Sequence, residues 1–189
     1  MGSVLIVSNT NTTMGIVSDL LYSQPFSRIV AAQSGSEARR CVLENEYDLI
    51  IIDTPLSDEL GDDFALHASE NSSSGVILIV ENDKLDEVNI NVENSGVFVV
   101  PKPISPDFFY QATKLLQSSR KRLAMLEDEN RKLRQKIEEL RLVSRAKLVL
   151  MQMLKMNEAQ AHRYIEKQSM NLRQTRTMVA ENILRTYET

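Results

Sequence analysis

The sequence predicts an α/β fold: a five-stranded parallel sheet wound with helices, then one long helix, then a small three-helix output domain. Three observations predict it. Short runs rich in Val and Ile alternate with helix-like segments through the first half of the chain. From Leu116 onward there is no Gly and no Pro, which permits a long uninterrupted helix. The charge changes sign close by: residues 1–114 hold 6 Lys and Arg against 17 Asp and Glu, a formal −11, while residues 115–189 hold 16 against 9, a formal +7.

The five apolar runs are residues 4–7, 28–32, 49–52, 76–80 and 97–100. Continuous apolar runs of this length fit strands buried on both faces. Helix-like segments lie between them at 14–22 and 36–45, the second preceded by Gly35 with Ser36 placed to cap it. Alternating strand and helix means parallel strands joined by right-handed crossovers. In such a sheet the chemistry gathers at the carboxyl ends of the strands, so the residues just after each run carry the most information.

At those ends the residues become specific. Residues 49–61 (LIIIDTPLSDELG) resemble the phosphoacceptor strand and loop of a response-regulator receiver domain, and residues 100–103 (VPKP) resemble its lysine-bearing strand end. The resemblance covers residues 3 to 118 and implies a flavodoxin-like fold, with Asp53 as phosphoacceptor and Lys102 as the cation paired to the phosphoryl group. The receiver reaction also needs a hard divalent metal held by carboxylates. The acidic pair that should supply them is replaced by Ser8 and Asn9, and Val80 stands where a Ser or Thr would hydrogen-bond the phosphoryl group. The expectation is a pseudo-receiver over residues 1–118, with Asp53 and Lys102 left as an ion pair; residual phosphotransfer is the competing reading. Asp58, Glu59, Asp62 and Asp63 could lend a carboxylate, or form a solvated charge run.

Residues 119–143 are expected to be a coiled-coil dimerisation helix. With Leu116 at position a of a heptad, Leu123, Asn130 and Ile137 fall at later a positions, and Leu126, Leu133 and Leu140 at d. A buried Asn at a costs stability unless it pairs with its counterpart, so Asn130 argues for a parallel, in-register dimer. In that register Arg122 meets Glu127 and Glu129 meets Arg134, while Lys136 repels Arg141. Exposed pairs of this kind are worth no more than about 1 kcal/mol each, so the Leu seam has to hold the dimer. The alternative is an amphipathic helix packed on its own receiver.

The remaining segment, counted from residue 135 to 189, reads as three helices. Residues 142–154 continue the long helix, and Lys155, Met156 and Asn157 break it. Asn157 with Gln160 makes a capping box for a second helix bearing Ala161, Ile165 and Leu172. The third, 177–187, puts Val179, Ala180, Ile183 and Leu184 on one face. Met151, Met153, Met156 and Met170 read as core filler rather than ligands.

Residues 145–151 (RAKLVLM), 157–170 (NEAQAHRYIEKQSM) and 179–184 (VAENIL) resemble the ANTAR domain of transcription antiterminators. That resemblance implies binding, as a dimer, to paired stem-loops in nascent messenger RNA. It is nearest to family members with a degenerate receiver that answer to a regulatory protein partner or other signal. Unstacked loop bases stack on aromatic and guanidinium planes while basic side chains hold phosphates. The candidates are Arg145, Lys147, Arg163, Tyr164, Lys167, Arg173 and Arg176, with a half-buried core ring as the alternative for Tyr164.

Composition narrows the remaining classes. A single Cys41 excludes an intramolecular disulfide, and with 2 His the usual zinc sets are out of reach, so no metal or cofactor is expected. No apolar stretch approaches the roughly 20 residues of a membrane span, and a cytoplasmic, non-exported protein is expected. An enzyme is disfavoured, since no activated nucleophile or glycine-rich phosphate loop is present. A DNA-binding or phosphorylation-dependent response regulator is the main rival. The turn at residues 155–157 lacks the Gly usual in a helix-turn-helix.

Overall fold

The computed structural model describes residues 2–22, 24, 26–92 and 94–187. The chain forms two compact units, Met1–Leu123 and Ala124–Thr189. In the first, five strands run β1 (Gly2–Val7), β2 (Phe26–Ala32), β3 (Leu49–Asp53), β4 (Gly75–Val80) and β5 (Val97–Pro101). They form one parallel sheet in the order β2-β1-β3-β4-β5. The intervening helices are α1 (Asn11–Tyr22), α2 (Gly35–Glu44), α3 (Asp62–Asn71) and α4 (Leu85–Val92), and α5 (Pro106–Met153) follows β5. This is the expected flavodoxin-like winding.

Both faces of the sheet are covered, which is why its strands read as unbroken apolar runs. Leu5, Val7, Ile50, Ile52, Leu78 and Val80 pack toward Ala38 of α2 and Phe64, Ala65 and Ala68 of α3. Val4, Ile6, Ile51, Ile77 and Ile79 pack toward Val17 and Leu21 of α1 and Phe109 and Ala112 of α5. Successive side chains point to opposite faces, so each strand serves both cores.

Two expectations are corrected here. The cap of α2 is Ser34, whose hydroxyl accepts from Glu37 N at 3.1 Å, while Ser36 lies inside the helix. Leu116 is half-buried against the second core, so it serves the sheet rather than opening the heptad seam. Gly75 leaves the room: a Cβ there would sit 3.2 Å from that of Leu116.

The start of α5 is pinned at its outer turns as well. Arg120 Nη1 donates to Asp48 O at 2.6 Å and to Asp48 Oδ1 at 2.7 Å, and Gln24 Nε2 donates to the buried Thr113 hydroxyl at 2.9 Å. Burial works against the Asp48 carboxylate. The Ser3 N–H and Arg120 outweigh it and hold its pKa below the ordinary value.

In the second unit the last turns of α5 pack with α6 (Glu158–Leu172) and α7 (Arg176–Tyr187). The buried residues are Ala146, Val149 and Leu150 of α5, Ala161 and Ile165 of α6, and Val179, Ala180, Ile183 and Leu184 of α7. The capping box forms as expected: Asn157 Oδ1 accepts from Gln160 N at 2.8 Å, and Gln160 Oε1 from Asn157 N at 2.9 Å. Met151 and Met156 join this core. Met153 and Met170 are exposed, against their assignment to the core, because they fall on faces of α5 and α6 that no described helix covers; Leu172 is exposed too.

Candidate functional site

Three strand ends and the turn after β1 meet at the corner that the sequence singled out. Asp53 closes β3 and is 3% exposed. Its Oδ2 accepts from the buried Ser8 hydroxyl at 2.7 Å, with Thr10 Oγ1 3.4 Å away. Its Oδ1 lies 2.8 Å from Lys102 Nζ, a contact of charge set off the hydrogen-bonding direction. Lys102 Nζ also donates to Thr54 O at 2.7 Å and to Glu81 Oε1 at 3.2 Å. Burial works against this ammonium, but Asp53 and then Glu81 overcome it, and the Lys102 pKa stands above its ordinary value.

The residue positions expected to hold a divalent metal carry no second carboxylate. Ser8 is committed to Asp53, and Asn9 Nδ2 donates to Pro55 O at 2.9 Å. A hard divalent ion wants several oxygen ligands including carboxylates. The single buried carboxylate here is already neutralised by Lys102, so the donor set does not fit the ion. Val80 is buried in the core and brings no hydroxyl.

Nearby acids are committed elsewhere. Asp58 accepts from Ser36 N at 3.0 Å, from the Ser36 hydroxyl at 2.8 Å and from Gly35 N at 2.8 Å. These bonds at the N-terminus of α2 lower its pKa to about 2. Glu59 is paired with Arg39, whose guanidinium also lies over the Phe64 ring at 5.3 Å. Asp62 and Asp63 sit in the first turn of α3. Among the described residues no group of three His, Cys, Asp or Glu is placed to hold a metal.

Along α5, Leu123, Leu126, Leu133, Ile137 and Leu140 are 51–61% exposed, and Asn130 lies among them, also exposed. The intrahelical ion pairs nearby join Asp128 to Arg131 and Lys132, on the side away from this stripe. Among the described residues Arg122, Glu127, Glu129 and Arg134 have no ion-pair partner within the chain. A run of large aliphatic side chains this regular is unusual on a solvated helix.

The seven basic and aromatic candidates of the second unit fall into groups that spacing could not reveal. Lys147 Nζ donates to Glu158 Oε1 at 2.8 Å, a bond that lowers the Glu158 pKa. Arg176 Nη2 lies 2.9 Å from Glu166 Oε1, which His162 Nε2 also approaches at 3.4 Å. Tyr164 is half-buried against the core, as its alternative reading held. Arg163 and Lys167 stand exposed one turn apart on α6, and among the described residues neither forms an ion pair. Arg173 is exposed at the C-cap of α6 with φ 52°. Arg145 is exposed near the end of α5.

Sequence reasoning missed two participants. Glu81 directly follows Val80, so its place at a strand end was available as a signal. Glu166 stands four residues after His162, a spacing that shares a helix face.

Residues 4–114 match the response regulator receiver domain family, and residues 131–184 match the ANTAR domain family. The chain is 25% identical over 186 residues to the transcriptional regulatory protein PdtaR of Mycobacterium tuberculosis, covering 98% of this chain and 91% of that protein. Solved structures share the receiver fold. The signal receiver domain of an HD domain-containing protein from Pseudomonas fluorescens superposes with a TM-score of 0.59 at 17% identity, over 66% of this chain and 92% of that one. A two-component response regulator from Clostridium difficile gives 0.55 at 22% identity, over 61% and 95%. No helix among the described residues is long and apolar enough to cross a membrane. With a receiver domain over more than half its length and an ANTAR domain behind it, the chain belongs to the response regulators of the ANTAR type.

Proposed function

We propose that this regulator acts in transcription antitermination: it dimerises through α5, binds stem-loop RNA in nascent transcripts through its ANTAR domain, and receives its signal without phosphorylation of Asp53. The observation that carries the RNA reading is the exposed Arg163 and Lys167 on one face of α6, without an ion-pair partner among the described residues, within a half of the chain that bears a formal +7. Cations already paired to Glu158 and Glu166 have less to gain from a phosphate, so Arg163 and Lys167 are the stronger contacts. Tyr164, beside them, has one face committed to the core. The exposed seam supports a parallel homodimer, with Asn130 setting two chains.

Binding of a labelled stem-loop RNA is expected to exceed that of duplex DNA of equal charge at every salt concentration. Arg163→Ala or Lys167→Ala should each flatten the dependence of log K on log salt by about 0.7 to 0.9. Equal binding of RNA and DNA would favour the rival DNA-binding regulator.

The unphosphorylated reading rests on the corner geometry. A phosphodonor approaching Asp53 meets a carboxylate already neutralised by Lys102 and screened by Ser8, with no acid at positions 8 and 9 to help hold a metal. Control then falls to a partner protein or another signal that binds the receiver. Incubation with acetyl phosphate and magnesium should leave the intact mass unchanged. A stoichiometric phosphoryl adduct that disappears in Asp53→Ala would overturn it.

A further inference from the structure

We infer that Glu81 is an internal anion, which takes the solvent-side hydrogen bond of Lys102 that an outside oxyanion would otherwise accept and so closes this corner to phosphate-like groups. The inference rests on the receiver being unphosphorylated and names the residue that keeps it so.

Lys102 Nζ has three protons and no acceptor. Three oxygens surround it: Asp53 Oδ1 at 2.8 Å, a contact of charge off the hydrogen-bonding direction, then Thr54 O at 2.7 Å and Glu81 Oε1 at 3.2 Å, which both accept hydrogen bonds. The first two partners are fixed by β3 and the residue after it. Glu81 differs from them in being a side chain 53% exposed on the solvent side, the direction from which an anion would arrive. It leaves β4 in extended backbone before the short helical turn Asn82–Lys84, while Lys102 N donates to Val80 O at 2.8 Å. Backbone bonding therefore brings the ends of β4 and β5 together, and Glu81 needs only its own side chain to reach the ammonium.

The charge arithmetic agrees. Asp53, Glu81 and Lys102 sum to −1, within a half of the chain that is formally −11. Removing Glu81 would bring the corner to zero and leave one Lys102 proton facing solvent. It would also remove one of the two carboxylates that keep the amine protonated, while the burial that opposes the charge remains.

The test reads Lys102 alone in the full-length chain. Wild type, Glu81→Gln and Glu87→Gln are briefly acetylated with acetic anhydride, in sulfate or in chloride of matched ionic strength. Peptide mass spectrometry then compares Lys102 with Lys114 as an internal reference. Acetylation of Lys102 should rise several-fold in Glu81→Gln and not in Glu87→Gln, and sulfate should suppress the rise while leaving wild type unaffected. An unchanged rate in Glu81→Gln would overturn the inference. So would a rise that sulfate fails to suppress, or sulfate protection of wild type equal to that of the variant. Thermal midpoints of the three proteins exclude partial unfolding as the source of reactivity, and Glu81→Ala repeats the test with the side chain removed. Acetyl phosphate labelling of wild type stays a separate assay, so failure of either idea is seen independently of the other.

Discussion

Replacing Leu133 and Ile137 together with Asp is expected to turn a micromolar dimer into a monomer, and to weaken binding to a two-hairpin RNA about a hundredfold. Both residues are more than half exposed in the single chain, so the substitutions leave the three cores untouched. In a parallel dimer they meet their counterparts, and four buried Asp per seam would repel at close range. The RNA effect follows from linkage. A parallel coiled coil sets two ANTAR domains at the same end, and once one has bound a hairpin the other meets its neighbour at an effective concentration in the millimolar range. Avidity then exceeds single-hairpin affinity by roughly 10² or more. Affinity for one isolated hairpin should barely change. Asn130→Ile is the complementary variant: it should raise thermal stability and loosen the number of chains, since a buried polar a residue trades energy for specificity. Sedimentation and titration with one-hairpin and two-hairpin transcripts check all of this. A wild type that sediments as a monomer, or binds two hairpins no more tightly than one, would sink the paired-site mechanism.

The sheet was legible in the sequence because burial on both faces writes an unbroken apolar run, and the runs at 49–52 and 76–80 lie wholly within β3 and β4. Local chemistry was legible where its partners are close in sequence, as in the Asn157–Gln160 capping box. The cap of α2 shows how such a signal can be misread. Ser34 and Ser36 both precede the helical pattern, yet only Ser34 has an acid three residues on, and Glu37 Oε2 does accept from Gln33 N at 2.8 Å. What sequence could not supply were pairings between elements. Lys147 with Glu158, Arg176 with Glu166 and Lys102 with Glu81 are 10 to 21 residues apart and depend on how helices and strands pack. The heptad reading of Leu116 met a similar limit: spacing along one helix does not show that Leu116 packs beside Gly75 against the sheet.

Lys102→Met is expected to destabilise the receiver by about 3 kcal/mol at neutral pH, because removing one partner of a buried pair leaves the other uncompensated. Asp53, 3% exposed, would keep only the Ser8 hydroxyl and the more distant Thr10. Asp53→Asn should cost less, about 1 kcal/mol, since Lys102 keeps Thr54 O and Glu81, and Asn can still accept from Ser8. The double variant should recover much of the Lys102→Met loss. Dependence on pH separates charge from packing. In wild type the Lys102 pKa is raised, so its contribution is complete below the unfolded value of 10.5 and is lost only as pH climbs through the higher folded value. In Lys102→Met the buried Asp53 has no cation beside it, and a buried carboxylate without a partner costs the folded state as long as it is charged. Acid relieves that cost by neutralising carboxylates, and neutral pH restores it. The gap between wild type and variant should therefore be narrow near pH 4 and widen toward pH 7, read from urea midpoints at each pH. If Lys102 served only through its aliphatic stem, the gap would stay flat over that range and Asp53→Asn would have no power to rescue the variant.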